Sequence, residues 1–137
     1  MKTPILMAAI VLLIAATGCG NGASNTAARQ AELCQDLASL KTAVATLRSM
    51  GPNNTVKELK QARKDVDDRY EEVKKSAQAV QEAQIDDLRK ARKQLETAVK
   101  KIPDKATLAQ AQASIKDEVA AVDAALAQLN TSVKCNP

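Results

Sequence analysis

The side chains of this 137-residue chain that could do chemistry are three cysteines, a knot of carboxylates and a run of basic residues. Cys19, Cys34 and Cys135 offer sulfur for covalent attachment or for pairing. Asp65, Asp67, Asp68, Glu71 and Glu72 offer oxygens of the kind Ca²⁺ and Mg²⁺ accept. Their spacing has no EF-hand order and no Gly turn, and Arg63, Lys64 and Arg69 interleave with them and oppose a cation. No metal site and no cofactor are expected from this pattern. The chain has no His, so acid–base work would fall to Asp, Glu, Lys or Tyr70. It also lacks a Gly-rich phosphate loop and a Ser-centred nucleophile elbow. No catalytic residue is expected. Arg89, Lys90, Arg92 and Lys93, with Lys100 and Lys101, could contact a polyanion such as anionic lipid head groups or a wall polymer. Without aromatic residues to stack on bases they do not suggest nucleic acid, and a solvated helix face explains them as well.

Those residues lie on helices. Ala, Lys, Gln, Leu and Glu dominate, which are strong helix formers, and Tyr70 is the single aromatic residue. After residue 22 the breakers are confined to Gly51-Pro52, Pro103 and Pro137. Leu33, Leu37, Leu40, Val44 and Leu47 recur at intervals of three and four, which places one apolar stripe on a helix from near Ala27 to Ser49. Thr55-Val56-Lys57-Glu58 has the form of a capping box opening the next helix. Val56, Leu59, Arg63, Val66, Tyr70, Val73, Ala77 and Val80 continue in one phase; Leu88, Leu95, Val99 and Ile102 follow, shifted by about one residue, which reads as a stutter. Beyond Pro103-Asp104 a last helix carries Leu108, Ala111, Ile115, Val119, Val122, Leu126, Leu129 and Val133. Asp65/Arg69, Glu71/Lys75, Asp86/Lys90 and Glu96/Lys100 are acid-to-base pairs four residues apart on the outer face, each worth a few tenths of a kcal/mol.

The chain begins with a different composition. Lys2 precedes an unbroken apolar run from Ile5 to Ala16, which ends in small residues and then Cys19. That is the layout of a secretory signal peptide over residues 1–18, and the run is too short for a transmembrane helix. Ala16-Thr17-Gly18-Cys19 resembles a lipobox, the signal of bacterial lipoproteins. The resemblance implies that Cys19 becomes the N-terminus, is acylated, and holds the protein on the outer face of a bacterial membrane in the cell envelope. Residues 19–26 then form a short flexible tether, and residues 27–137 a single helical domain.

In an oxidising compartment thiols are normally paired. With Cys19 given to lipid, Cys34 and Cys135 are left to each other. A hairpin turning near Pro52-Asn53 sets Cys34 level with about residue 71, and one turning near Pro103-Asp104 sets Cys135 level with about residue 72. Two all-α architectures satisfy this closure. Residues 56–101 can form one long central helix, with the first and last helices folded back along its two halves. Alternatively the middle segment breaks near Gln81-Gln84 and the chain forms an up-down-up-down four-helix bundle. The lack of Gly or Pro between Pro52 and Pro103 favours the long helix; the small core of a rod two helices thick speaks against it.

The Cys34-Gln35-Asp36-Leu37 segment, Pro103, Leu108 and the closing Cys135 together resemble a pattern in uncharacterised exported bacterial helical proteins. The likeness spans nearly all of the helical domain and implies no catalytic residues. A looser comparison is with the envelope spacer lipoproteins of diderm bacteria, but the C-terminal Lys they use for attachment to peptidoglycan is absent here. The sequence thus leads to a non-enzymatic, lipid-anchored envelope protein whose coiled-coil-like surface meets another envelope protein or a second copy of itself. Its rival is a structural protein that binds anionic surfaces through the basic clusters.

Overall fold

The computed structural model describes residues 21–79 and 82–135. The expected signal peptide (1–18), Cys19 and the first residue of the tether lie outside them. Among the described residues there are four α-helices and no strand: α1 (Asn21–Ser49), α2 (Val56–Ser76), α3 (Glu82–Lys100) and α4 (Leu108–Ser132). None is long and apolar enough to cross a membrane.

The chain takes the second of the two architectures. α2 stops at Ser76 and passes into a 3-10 turn at Ala77–Ala79, and α3 runs back along α2. Arg92 bonds to Asp67 at 2.8 Å across 25 residues of sequence; in one continuous helix they would stand about 37 Å apart. The favoured long central helix is therefore replaced by an up-down-up-down bundle. Helix formers fill the segment and no breaker marks it, so burial decides against propensity: a fourth face closes the core on Val73, Ala77 and Leu88, each fully buried. The apparent stutter between Val80 and Leu88 is the change of phase that this reversal produces.

α1 pairs closely with α2 and α3 with α4, and the two hairpins join along α1/α4 and α2/α3. The apolar stripes meet in one core that includes Leu33, Leu40, Val44, Leu59, Val66, Leu95, Ile115, Val122 and Leu129. Each such side chain contributes about 1.5–3 kcal/mol on burial, set against the backbone entropy of its helix.

Both distal turns are built from local hydrogen bonds. At 51–54, Asn54 N donates to Gly51 O at 2.9 Å, and Gly51 N donates to Asn54 Oδ1 at 2.9 Å. Thr55 and Glu58 then close the expected capping box at the start of α2. A second box, Thr107 with Gln110, opens α4. The other end of α4 finishes in a Schellman motif: Lys134 takes φ 55°, its N–H donates to Thr131 O at 3.2 Å, and Cys135 N donates to Asn130 O at 3.1 Å.

α1 starts at Asn21 rather than near Ala27, so residues 21–26 of the expected tether are helical. Between residue 25 and Leu33 every side chain is exposed. No Pro or Gly interrupts the run from Ala23 to Met50, and helix formers let these turns continue.

Candidate functional site

Cys34 and Cys135 form the disulfide, with their Cα atoms 5.4 Å apart and 101 residues between them in sequence. The bond ties α1 to the Schellman turn of α4. Gln30, one turn earlier on α1, donates from Nε2 to Val133 O at 2.9 Å and caps the same helix end. The disulfide and the connection from α2 to α3 both lie at this end, so the two hairpins are covalently joined twice there. At the opposite end side chains alone connect them: Lys60–Asp104 at 2.5 Å, Arg48–Asp123 at 2.5 Å, and Gln112 donating to the Met50 carbonyl.

The most organised polar group is a seam between α2 and α3. Asp67 accepts from Arg63 on its own helix and from Arg92 across the seam. Arg92 also approaches Glu96 at 3.5 Å, and Glu96 accepts from Lys100 at 2.6 Å. Arg63, Asp67 and Arg92 are only about one-fifth exposed. The Arg92 guanidinium lies over Tyr70, 4.8 Å from the ring centroid, a cation–π contact in a partly desolvated place. Arg63 sits on the apolar stripe because this seam, unlike the rest of the interior, is polar.

The electrostatics follow from these partners. The hydrogen bond from Lys100 holds the Glu96 carboxyl below its ordinary value, helped by the charges of Lys100, Arg92 and Arg63. Burial pushes the Tyr70 hydroxyl up, against the opposing pull of Arg92 and Arg89. Glu58 is lowered by its hydrogen bonds to Thr55 in the capping box, and Asp104 by Lys60.

The structure splits the six basic residues that the sequence groups. Arg92 turns into the seam, Lys100 pairs with Glu96, and Arg89 pairs with Asp86. Lys90, Lys93 and Lys101 line an open groove of about 720 Å³ between α3 and α4, floored by Ala98 and Ala121. Asp117 and Glu118 share that groove, so it is not a single-sign surface, and a polyanion meets acids as well as lysines there.

The carboxylates of α2 are likewise parted. Asp67 belongs to the seam, Glu71 pairs with Lys74 and Glu72 with Arg69. Asp65, Asp68 and Glu72 wall a second groove, of about 560 Å³, against Ser39, Thr42 and Thr46 of α1. Among the described residues no three His, Cys, Asp or Glu side chains converge as a metal site would require.

Of the four helix-face pairs read from the sequence, Glu96/Lys100 forms. The others give way to contacts three residues apart: Arg69–Glu72, Lys74–Glu71 and Arg89–Asp86. Sequence reasoning missed the seam altogether. Its signal was present in Arg63 and Tyr70 on an otherwise aliphatic stripe, but their partners became visible only once α3 folded back.

Comparison with protein-family models, with curated proteins and with solved structures finds no match to this chain.

Proposed function

We propose that the protein is a non-enzymatic, lipid-anchored component of a bacterial cell envelope, a helical interaction module held to the membrane through acylated Cys19. The observation that carries this reading is the Cys34–Cys135 bond. A disulfide that ties the two ends of a small domain belongs to an oxidising compartment, which is where a lipobox-like signal would deliver the chain. Cys19 precedes α1 by two residues in sequence, and the N-terminal half of α1 carries Cys34 of the disulfide. Anchored there, the bundle would extend away from the membrane over about 37 Å, the length of α4. The Ala-floored grooves of both hairpins would then face sideways, toward another envelope protein. The surface-binding alternative has less support, because half of its basic residues are spent on internal acids.

Metabolic labelling with a palmitate analogue tests the anchor. The parent should carry label and fractionate with membranes, and the Cys19→Ser variant should lose both. An unlabelled parent, or a variant labelled as strongly as the parent, overturns the reading.

A further inference from the structure

One side of the bundle is almost without charge. Of the 21 residues of α2, 13 are Lys, Arg, Asp or Glu, whereas α1 has 5 such residues in 29 and α4 has 4 in 25. What α1 and α4 turn outward is alanine: Ala38 and Ala45, seven residues apart, and Ala113, Ala120, Ala124 and Ala127, all exposed. Helix propensity does not require them, since α2 is helical with Lys, Asp and Glu on its outer face. Both rows border the junction of the two helices. Ala38 and Ala45 stand one turn from Cys34 and Arg48, which bond across to α4. Ala120 and Ala127 stand one turn to either side of Asp123, the partner of Arg48. Between the rows, at the end away from the disulfide, lies an open groove of about 380 Å³ walled by Leu47, Met50, Ile115 and Val119.

We infer that a second copy of the chain docks on this α1/α4 face, giving a twofold dimer in which α1 of each copy lies along α4 of the other. The area is sufficient. α4 is about 37 Å long and two helices side by side are about 20 Å across. The face therefore offers about 750 Å² per copy, close to the roughly 800 Å² that each partner gives to a standard interface. The core of an interface is depleted of charge, and alanine lets two helices approach to about 8 Å, the short end of the usual range. The charges fix the arrangement. α1 and α4 are antiparallel, with Cys34 level with Cys135 and Arg48 level with Asp123. When the twofold axis runs along the bundle, Ala45 of one copy comes level with Ala124 of the other, and each Arg48 gains a second Asp123 at its own height. Lys41 then meets Ala127 and Gln128, and Lys116 meets the uncharged turn 51–54, so no like charges face one another. The α2/α3 side would have to desolvate many ions to do the same. Two copies so arranged enter one membrane side by side, a point that rests on the anchor proposed above; the dimer itself does not.

A photo-reactive residue at position 124 of the full chain, expressed in the cell at native abundance, tests the inference. The expected product has twice the mass of the chain, with the crosslink mapping by mass spectrometry to α1 near Ala45. No self-link, or a link only to a different protein, overturns the dimer; the second result does so while sustaining the interaction module proposed above. Purified from membranes in density-matched detergent, the parent should sediment as a dimer, and a monomer at the highest concentration reached overturns the inference. Ala124→Glu should raise the dissociation constant about tenfold or more, because the dimer would bury a carboxylate at its centre. Helical circular dichroism should be retained, since the position is exposed in the single copy. Lys64→Glu, on the exposed outer face of α2, should leave the constant within about twofold, as surface substitutions away from a contact do. Equal weakening by both variants, or none by Ala124→Glu, overturns the assignment of the face.

Discussion

Arg92 and Asp67, 25 residues apart in sequence, are joined at 2.8 Å, and that one bond states the topology of the chain. It requires the helix that begins at Val56 to reverse before residue 92. It also explains why Arg63, on the same stripe as Val66 and Tyr70, does not disturb the core: its charge ends on the same carboxylate. Asp67→Ala should therefore remove the acceptor of two largely buried guanidinium groups at once. The expected cost is about 2 kcal/mol, measured by urea denaturation with an unchanged m-value. A cost below a few tenths of a kcal/mol would place the seam among ordinary surface pairs.

The apolar face of each helix was legible from spacing alone. Leu33, Leu37, Leu40, Val44 and Leu47 of α1 are all buried, as are Leu108, Ala111, Ile115, Val119, Val122, Leu126 and Leu129 of α4. The disulfide could be read as well, from the compartment argument and the register through Pro52-Asn53; the register through Pro103-Asp104 does not hold, because residue 72 stands on α2, beyond the reversal. The reversal between α2 and α3 could not. It uses no Gly or Pro, and its cause is the burial gained when a fourth helix closes the core, a property of the assembled bundle rather than of a local segment. The seam was illegible for the same reason: Arg92 looks like its neighbours Arg89 and Lys93 until α3 is set against α2.

Removing the disulfide should expose how much of the stability rests on chain closure. In the chain-entropy account a loop of 101 residues is worth about 4–5 kcal/mol. Cys34→Ser with Cys135→Ser, or reduction of the parent, should lower the thermal midpoint strongly while leaving helical circular dichroism at low temperature. Equal midpoints with and without reductant would contradict this.

Lys134 occupies the left-handed position of the Schellman turn with φ 55°. Glycine adopts that conformation without the Cβ penalty. Lys134→Gly should raise stability by up to about 1 kcal/mol, read as a higher urea midpoint. A loss would show that the lysine side chain contributes more than its backbone strain costs.

The pH profile should have two limbs. Glu58, Glu96 and Asp104 have carboxyl groups lowered in the fold by Thr55, Lys100 and Lys60 respectively. Their stabilisation is present above the unfolded carboxylate value near 4 and is lost as pH falls through the lower folded values. Tyr70 is raised by burial, so its contribution is complete below the unfolded value near 10 and disappears as pH climbs from there through the folded value. Thermal midpoints recorded across this range should fall at both extremes, and Tyr70→Phe should flatten the alkaline limb. A limb that persists in that variant would assign it to other groups.

The interaction reading itself is tested most directly by crosslinking in the cell. Photo-reactive residues placed at Thr42 on the α1/α2 groove and at Thr97 on the α3/α4 groove would report what lies against each hairpin at native abundance. The account predicts one dominant envelope protein captured from at least one groove and retained at high salt, and capture of only a second copy of this chain would contradict it. Capture scattered among abundant envelope proteins, or capture of membrane or wall polymer that salt abolishes, would contradict it.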